Sequence, residues 1–123
     1  MCANKRGPIS NMTFIASVLG GYAQTSYGAA KTGLIGLAEP TALEGARFNI
    51  TANCILIGVV VAEAYDEPIP KRIRENLEKK TAIGRPAAPQ EIADAVAYAV
   101  PDEAHNMTSA LMNRVGGLDL LVF

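Results

Sequence analysis

The stretch Y27-GAAKTGLIGLAEPTALEGARFNITANCILI-G58 decides the fold. In its first part Ala29, Ala30, Leu34, Leu37 and Ala38 return at steps of three and four residues. Such spacing predicts a helix over residues 24–47 with those five on one buried stripe. Pro40 falls inside this helix, where it removes a backbone hydrogen bond and costs about 3 kcal/mol unless the helix kinks. From Asn49 the pattern changes, and Ile50-Thr51-Ala52-Asn53-Cys54-Ile55-Leu56-Ile57 becomes almost continuously apolar before Gly58. A run of that length reads as a strand over 50–57 covered on both faces, as in a parallel sheet.

Working outward, PISNMTFIASVL at 8–19 mixes β-branched and apolar residues after Gly7. It reads as a strand over 9–16, broken by Gly20-Gly21. On the other side come a charged helix over 70–80 and a loop rich in Pro, Gly and Ala from Thr81 to Pro89. Pro89 then suits the first turn of a helix over 90–100, with Ile92, Ala95, Val96 and Ala99 inward. A last strand over 110–115 stops at Gly116-Gly117. Strand, helix, strand, helices, strand is the order of an α/β protein with right-handed crossovers and a parallel sheet. The 123 residues make one partial domain, and nothing visible neighbours the outer side of its first strand.

Eleven basic against twelve acidic side chains give a net charge of −1. No broad field attracts nucleic acid or anionic lipid. The basic run Lys71, Arg72, Arg74, Lys79, Lys80 is interleaved with Glu75 and Glu78, as on a solvated helix face. Half the residues are hydrophobic, yet no apolar run reaches the ~20 residues of a membrane span. MCANKRGP lacks the apolar centre of a secretion signal, so a reducing, cytoplasmic compartment is expected. Cys2 and Cys54 are isolated, the sole histidine His105 has no ligand-like neighbours, and no metal site is expected. Three Asn-x-Thr triplets, at Asn11, Asn49 and Asn106, carry no weight without such a signal.

Tyr27 and Lys31 stand four apart and so share a helix face. A free phenol titrates near ~10 and is a poor acid–base catalyst at neutral pH, but an adjacent ammonium favours the phenolate. The pair can therefore serve as proton donor to a carbonyl. By spacing alone, though, a tyrosine four residues before a lysine is more often an amphipathic side chain beside a surface charge.

The wider pattern speaks for the chemistry. The segment 27–58, together with Gly84-Arg85-Pro86, Pro89, Glu91-Ile92-Ala93, Asp102-Glu103-Ala104, Thr108 and Gly116-Gly117, resembles the short-chain dehydrogenase/reductase family, in the flavour of its 3-oxoacyl-carrier-protein reductase and hydroxybutyrate dehydrogenase branches. The resemblance implies the carboxy-terminal, catalytic half of a Rossmann-like doubly wound sheet, without the amino-terminal βαβ nucleotide-binding unit. It implies Tyr27 as general acid/base, Lys31 as its activator and ribose ligand, and backbone groups of Gly58 and Val60 facing the nicotinamide of NAD or NADP. It further implies a small carbonyl or alcohol substrate and a homo-oligomer.

Several positions depart from the family pattern. Its serine stands thirteen residues before the tyrosine, where this chain has Phe14. Ser17 takes that role only if the following loop is three residues shorter; otherwise it is a turn serine at a strand end. Strand alternation points Thr13 away from Phe14. Ile57-Gly58 replaces Pro-Gly, Ala62 a carboxamide-binding threonine, and Val115 the aspartate of Asp-Gly-Gly. No glycine-rich pyrophosphate turn occurs. Glu63, Asp66 and Glu67 form an acidic loop without further signature. The expectation is an incomplete or drifted NAD(P)-dependent oxidoreductase, weak or inactive alone, or else a non-catalytic packing module derived from one. A cofactor-free haloalcohol dehalogenase fits less well, because those carry arginine in place of Lys31 and keep the serine.

Overall fold

The computed structural model describes residues 1–61 and 71–120. Strands β1 (Gly7–Phe14), β2 (Ile50–Ile57) and β3 (Leu111–Arg114) form one sheet in the order β1-β2-β3. Both pairings are parallel, Gly7 opposite Ile50 and Cys54 opposite Leu111. A short helix α1 (Ala16–Leu19) and a long helix α2 (Thr25–Gly45) join β1 to β2; α3 (Lys71–Lys80) and α4 (Pro89–Ala99) precede β3. The protein is α/β, a parallel sheet flanked by helices.

The central strand carries the core. Ala52, Asn53, Cys54, Ile55 and Leu56 are all 2% exposed or less. Cys54 donates its thiol proton to the Leu34 carbonyl of α2. Even-numbered β2 side chains thus meet α2 and odd-numbered ones the other face, where Ile92, Ala95 and Ala99 of α4 are buried. Asn53 would be costly in such a place without partners. Its Nδ2 donates to the Met107 carbonyl at 2.9 Å, and its Oδ1 accepts from the Ala110 N–H at 3.0 Å. Thr108 Oγ1 accepts from the Ala52 N–H. These bonds seat the approach to β3 against β2.

The first strand differs from expectation at both ends, spanning 7–14 and not 9–16. Its early start admits Pro8. The Ile15 N–H donates to the Ile57 carbonyl at 2.9 Å, so odd-numbered backbone groups face β2 and even-numbered ones, Pro8 included, face outward. On the side of β1 that pairs with no described strand, the missing N–H costs no described ladder bond. The early end comes from Ile15, whose helical φ of −53° and ψ of −29° begin the single turn of α1. Ser17 is therefore helical, not a turn residue at a strand end.

A second correction concerns α2. Ala38, Ala42 and Gly45 are its buried residues, whereas Ala29 and Ala30 are exposed and Leu37 is 53% exposed. This helix is apolar on more than one side, so periodicity finds the helix but not its inner face. Pro40 lies on the exposed side of a helix that continues past it.

Candidate functional site

Parallel sheets offer ligands the space beyond the carboxyl ends of their strands. Here those ends are Phe14, Ile57 and Arg114. Tyr27, in the first turn of α2, meets Phe14 edge to face, with ring centroids 5.7 Å apart and planes at 69°. Tyr27 is 43% exposed, so it is not sealed from solvent. Lys31 stands one turn later and places Nζ 5.7 Å from the centre of the same ring, within the range of a cation–π contact. The ammonium also donates to the Met12 carbonyl of β1 at 2.8 Å. The helix thus brings phenol and ammonium together, and the strand beside it fixes the ammonium.

Thr13 completes the join. It is 1% exposed and donates to the Lys31 carbonyl at 2.8 Å. A hydroxyl has one proton. The 3.1 Å contact between Thr13 Oγ1 and Ser17 Oγ must then be a bond that Ser17 donates. Ser17 spends its proton on Thr13. Thr32 Oγ1 lies 3.0 Å from the Ser17 carbonyl and 2.9 Å from the Gly28 carbonyl, closing α1 onto α2. Contrary to simple alternation, Thr13 and Phe14 both touch α2, because the strand ends at Phe14 and the chain is already turning.

Past β2, Gly58 donates its N–H to the Arg114 carbonyl at 3.3 Å. A Cβ there would lie 2.9 Å from Val115 Cα, so only glycine fits this approach. Val60 forms a parallel bridge with Ala87, through Val61 N–H to Ala87 O and Ala87 N–H to Val59 O. In that pattern the N–H and C=O of Val60 itself point away from Ala87. Beside it a cleft of about 260 Å³ is lined by Val59, Arg85, Glu91, Arg114 and neighbours. Arg85 grips Glu91 with two bonds of 2.7 and 2.8 Å, and Glu91 also accepts the Ala88 N–H at 2.8 Å. The Arg85 guanidinium first, and that N–H second, hold the Glu91 carboxyl down at about 2.

The remaining candidates are dispersed. His105 is exposed and bonds the Asn49 side chain through Nε2. Cys2 is exposed and Cys54 buried, both as free thiols, with burial pushing the Cys54 thiol up. Among the described residues no group of three or more His, Cys, Asp or Glu side chains could hold a metal ion. Ala62, Glu63, Asp66 and Glu67 lie outside the described residues. Sequence reasoning passed over the Met12 carbonyl because a backbone acceptor has no sequence signature. It passed over the Thr13 clamp because alternation assumes a strand that continues.

Among known proteins, residues 1–119 match the family model described as enoyl-(acyl carrier protein) reductase. The chain is 30% identical over 113 residues to (3R)-3-hydroxyacyl-CoA dehydrogenase of Rattus norvegicus, covering 92% of this chain and 43% of that protein. It is 32% identical over 114 residues to 3-oxoacyl-[acyl-carrier-protein] reductase FabG of Aggregatibacter actinomycetemcomitans, covering 93% and 46%. It is 33% identical over 121 residues to nodulation protein G of Rhizobium meliloti (strain 1021), covering 98% and 49%. The chain spans just under half the length of these relatives. Among the described residues no helix is long and apolar enough to cross a membrane.

Proposed function

This chain belongs to the short-chain dehydrogenase/reductase family, and we propose that it supplies the proton-handling side of an NAD(P)-dependent oxidation or reduction of a small carbonyl or secondary alcohol. The observation that carries this reading is the Lys31 ammonium beside the open ring of Tyr27 at the carboxyl end of a parallel sheet. Tyr27 delivers its phenolic proton to the carbonyl oxygen, or takes it back in the reverse direction. Lys31 provides positive charge on that side of the ring and can turn a donor to a ribose hydroxyl. The outward N–H and C=O of Val60 suit the paired donor and acceptor of a carboxamide, whereas Gly58, its N–H committed to Arg114, serves the packing. A bound nicotinamide supplies the hydride. The 3-oxoacyl and 3-hydroxyacyl thioesters in the relatives' names suggest the substrate class to try first.

Phe14 weakens this site. It puts a ring beside Tyr27 where the family has a hydroxyl donor, and Ser17 has no spare proton to replace it. A second reading therefore has its own support: a non-catalytic packing module. Gly33 and Gly36 on α2 have no atom within 4 Å of a would-be Cβ, and Leu37 and Leu43 are 53% and 81% exposed. An open, largely apolar face of this kind fits a second copy of the chain. Titration with NADH and NADPH, followed by nicotinamide fluorescence, separates the readings. The enzyme reading expects saturation at roughly micromolar to sub-millimolar cofactor, weakened in Lys31→Met. No saturation up to about 1 mM supports the packing module instead.

A further inference from the structure

We propose that the cleft where β2, β3 and the start of α4 meet binds a small monocarboxylate with a short apolar chain, its carboxylate on Arg114 and its chain on Val59, Ala87 and Val115.

The cleft, of about 260 Å³, lies between three described segments that are bonded to one another. The Gly58 N–H donates to the Arg114 carbonyl, the Ala87 N–H to the Val59 carbonyl and the Ile83 N–H to the Gly116 carbonyl. Gly116, at a φ of +63°, lies so close to Ile83 that an added Cβ would stand 3.0 Å from its Cγ1. The walls are therefore held before a ligand arrives, which lowers the cost of binding. Their chemistry is divided. Val59, Ile83, Ala87 and Val115 supply an apolar side, and Arg85, Glu91 and Arg114 a charged one. The volume falls just under the ~300 Å³ at which sites for drug-sized ligands begin, so the occupant is small.

The charges select the head group. Arg85 spends two bonds on Glu91, at 2.7 and 2.8 Å, and so cancels that carboxylate. Arg114 stands opposite Ile57, in the register whose side chains face α4. It is exposed, and among the described residues its side chain has no hydrogen bond or ion pair. Asp119, five residues further on, is taken by the Asn113 side chain at 2.9 Å. One guanidinium in the lining is thus left over. Its planar fork matches a carboxylate through two parallel bonds. A dianion such as phosphate fits less well, because the ionised Glu91 shares the lining and repels the second charge.

The test titrates the chain with hexanoate at neutral pH and follows its backbone amides by NMR. The amides of Val59, Ala87, Val115 and Gly116 are expected to shift together and to saturate at roughly millimolar hexanoate, as suits so few ligand atoms. Arg114→Gln is expected to weaken binding about tenfold or more, and Arg114→Lys, which keeps the charge but not the fork, by less. Acetate, which lacks the chain, and inorganic phosphate, which carries the second charge, are each expected to bind about tenfold or more weakly than hexanoate. No saturation by roughly 50 mM, where added salt screens the charge, overturns the site. So do shifts centred on other residues, equal binding by Arg114→Gln, or phosphate or acetate that binds as well as hexanoate. Should Arg114→Gln not fold, wild type itself decides: nuclear Overhauser contacts from the hexanoate chain to the Val59 and Val115 methyls are expected, and their absence overturns the proposal. None of these readings involves Tyr27, Lys31 or a cofactor, so a failed NADH titration leaves them untouched.

Discussion

At the scale of single residues, the proposed function turns most on Phe14. Its ring meets that of Tyr27 edge to face, and a phenylalanine has no proton to offer a substrate oxygen. Restoring the hydroxyl with Phe14→Ser should raise turnover of a 3-oxoacyl thioester, in the presence of NADPH, by roughly 10²–10³ over wild type, the usual worth of one such donor. Tyr27→Phe in the same background should return the rate to background. Equal rates in Phe14→Ser and wild type would show that the missing donor is not what limits the reaction. This much was legible in the sequence, because counting back from the tyrosine lands on Phe14. The role of Ser17 was not, since it depends on which hydroxyl holds the one proton between Thr13 and the Lys31 carbonyl.

Among the elements, α2 is both the best and the worst read. Its existence follows from its spacing, but its inner face does not, because small and apolar residues lie on both sides. Only packing against β2 selects Ala38, Ala42 and Gly45. Pro40 sits exposed in the same helix. Pro40→Ala restores an N–H to the Gly36 carbonyl and should stabilise the fold by about 1–3 kcal/mol in urea unfolding; no gain would mean that the helix is already bent around the proline in a way alanine does not relieve. The start of α4 makes a different prediction. Glu91 is held at about 2 by Arg85 and the Ala88 N–H, below its unfolded value of ~4.3. A depressed carboxylate contributes stability in full above the unfolded value and loses it as the pH falls through the folded one. The urea midpoint should therefore drop between about pH 4.5 and 2 more steeply in wild type than in Glu91→Gln. Parallel curves for the two proteins would mean that the ion pair contributes nothing in solution.

For the molecule as a whole, the parallel sheet flanked by helices follows from the alternation of elements, and among the described residues β1 has no strand on its outer side, as the strand count led one to expect. The bond from Lys31 to the Met12 carbonyl could not be foreseen, as it depends on where one lysine folds back. The exposed face of α2 gives the prediction at this scale. On the packing-module reading the wild type is a dimer, and Leu37→Asp together with Leu43→Asp should shift it to a monomer in sedimentation equilibrium, while leaving the circular dichroism of the fold intact; a wild type that is monomeric throughout would exclude this face as an interface. One feature of the interior reaches beyond architecture. Asn53 is bound to Met107 and Ala110, 54 and 57 residues further along. The strand at the centre of the sheet is thus made long before the residues that satisfy its amide, and a ribosome leaves that side chain waiting. Loop closure over such spans slows folding more than it weakens the final state. The nascent chain consequently passes through an interval in which β2 exists but cannot yet close against β3, and its apolar side chains are then exposed to unwanted contacts.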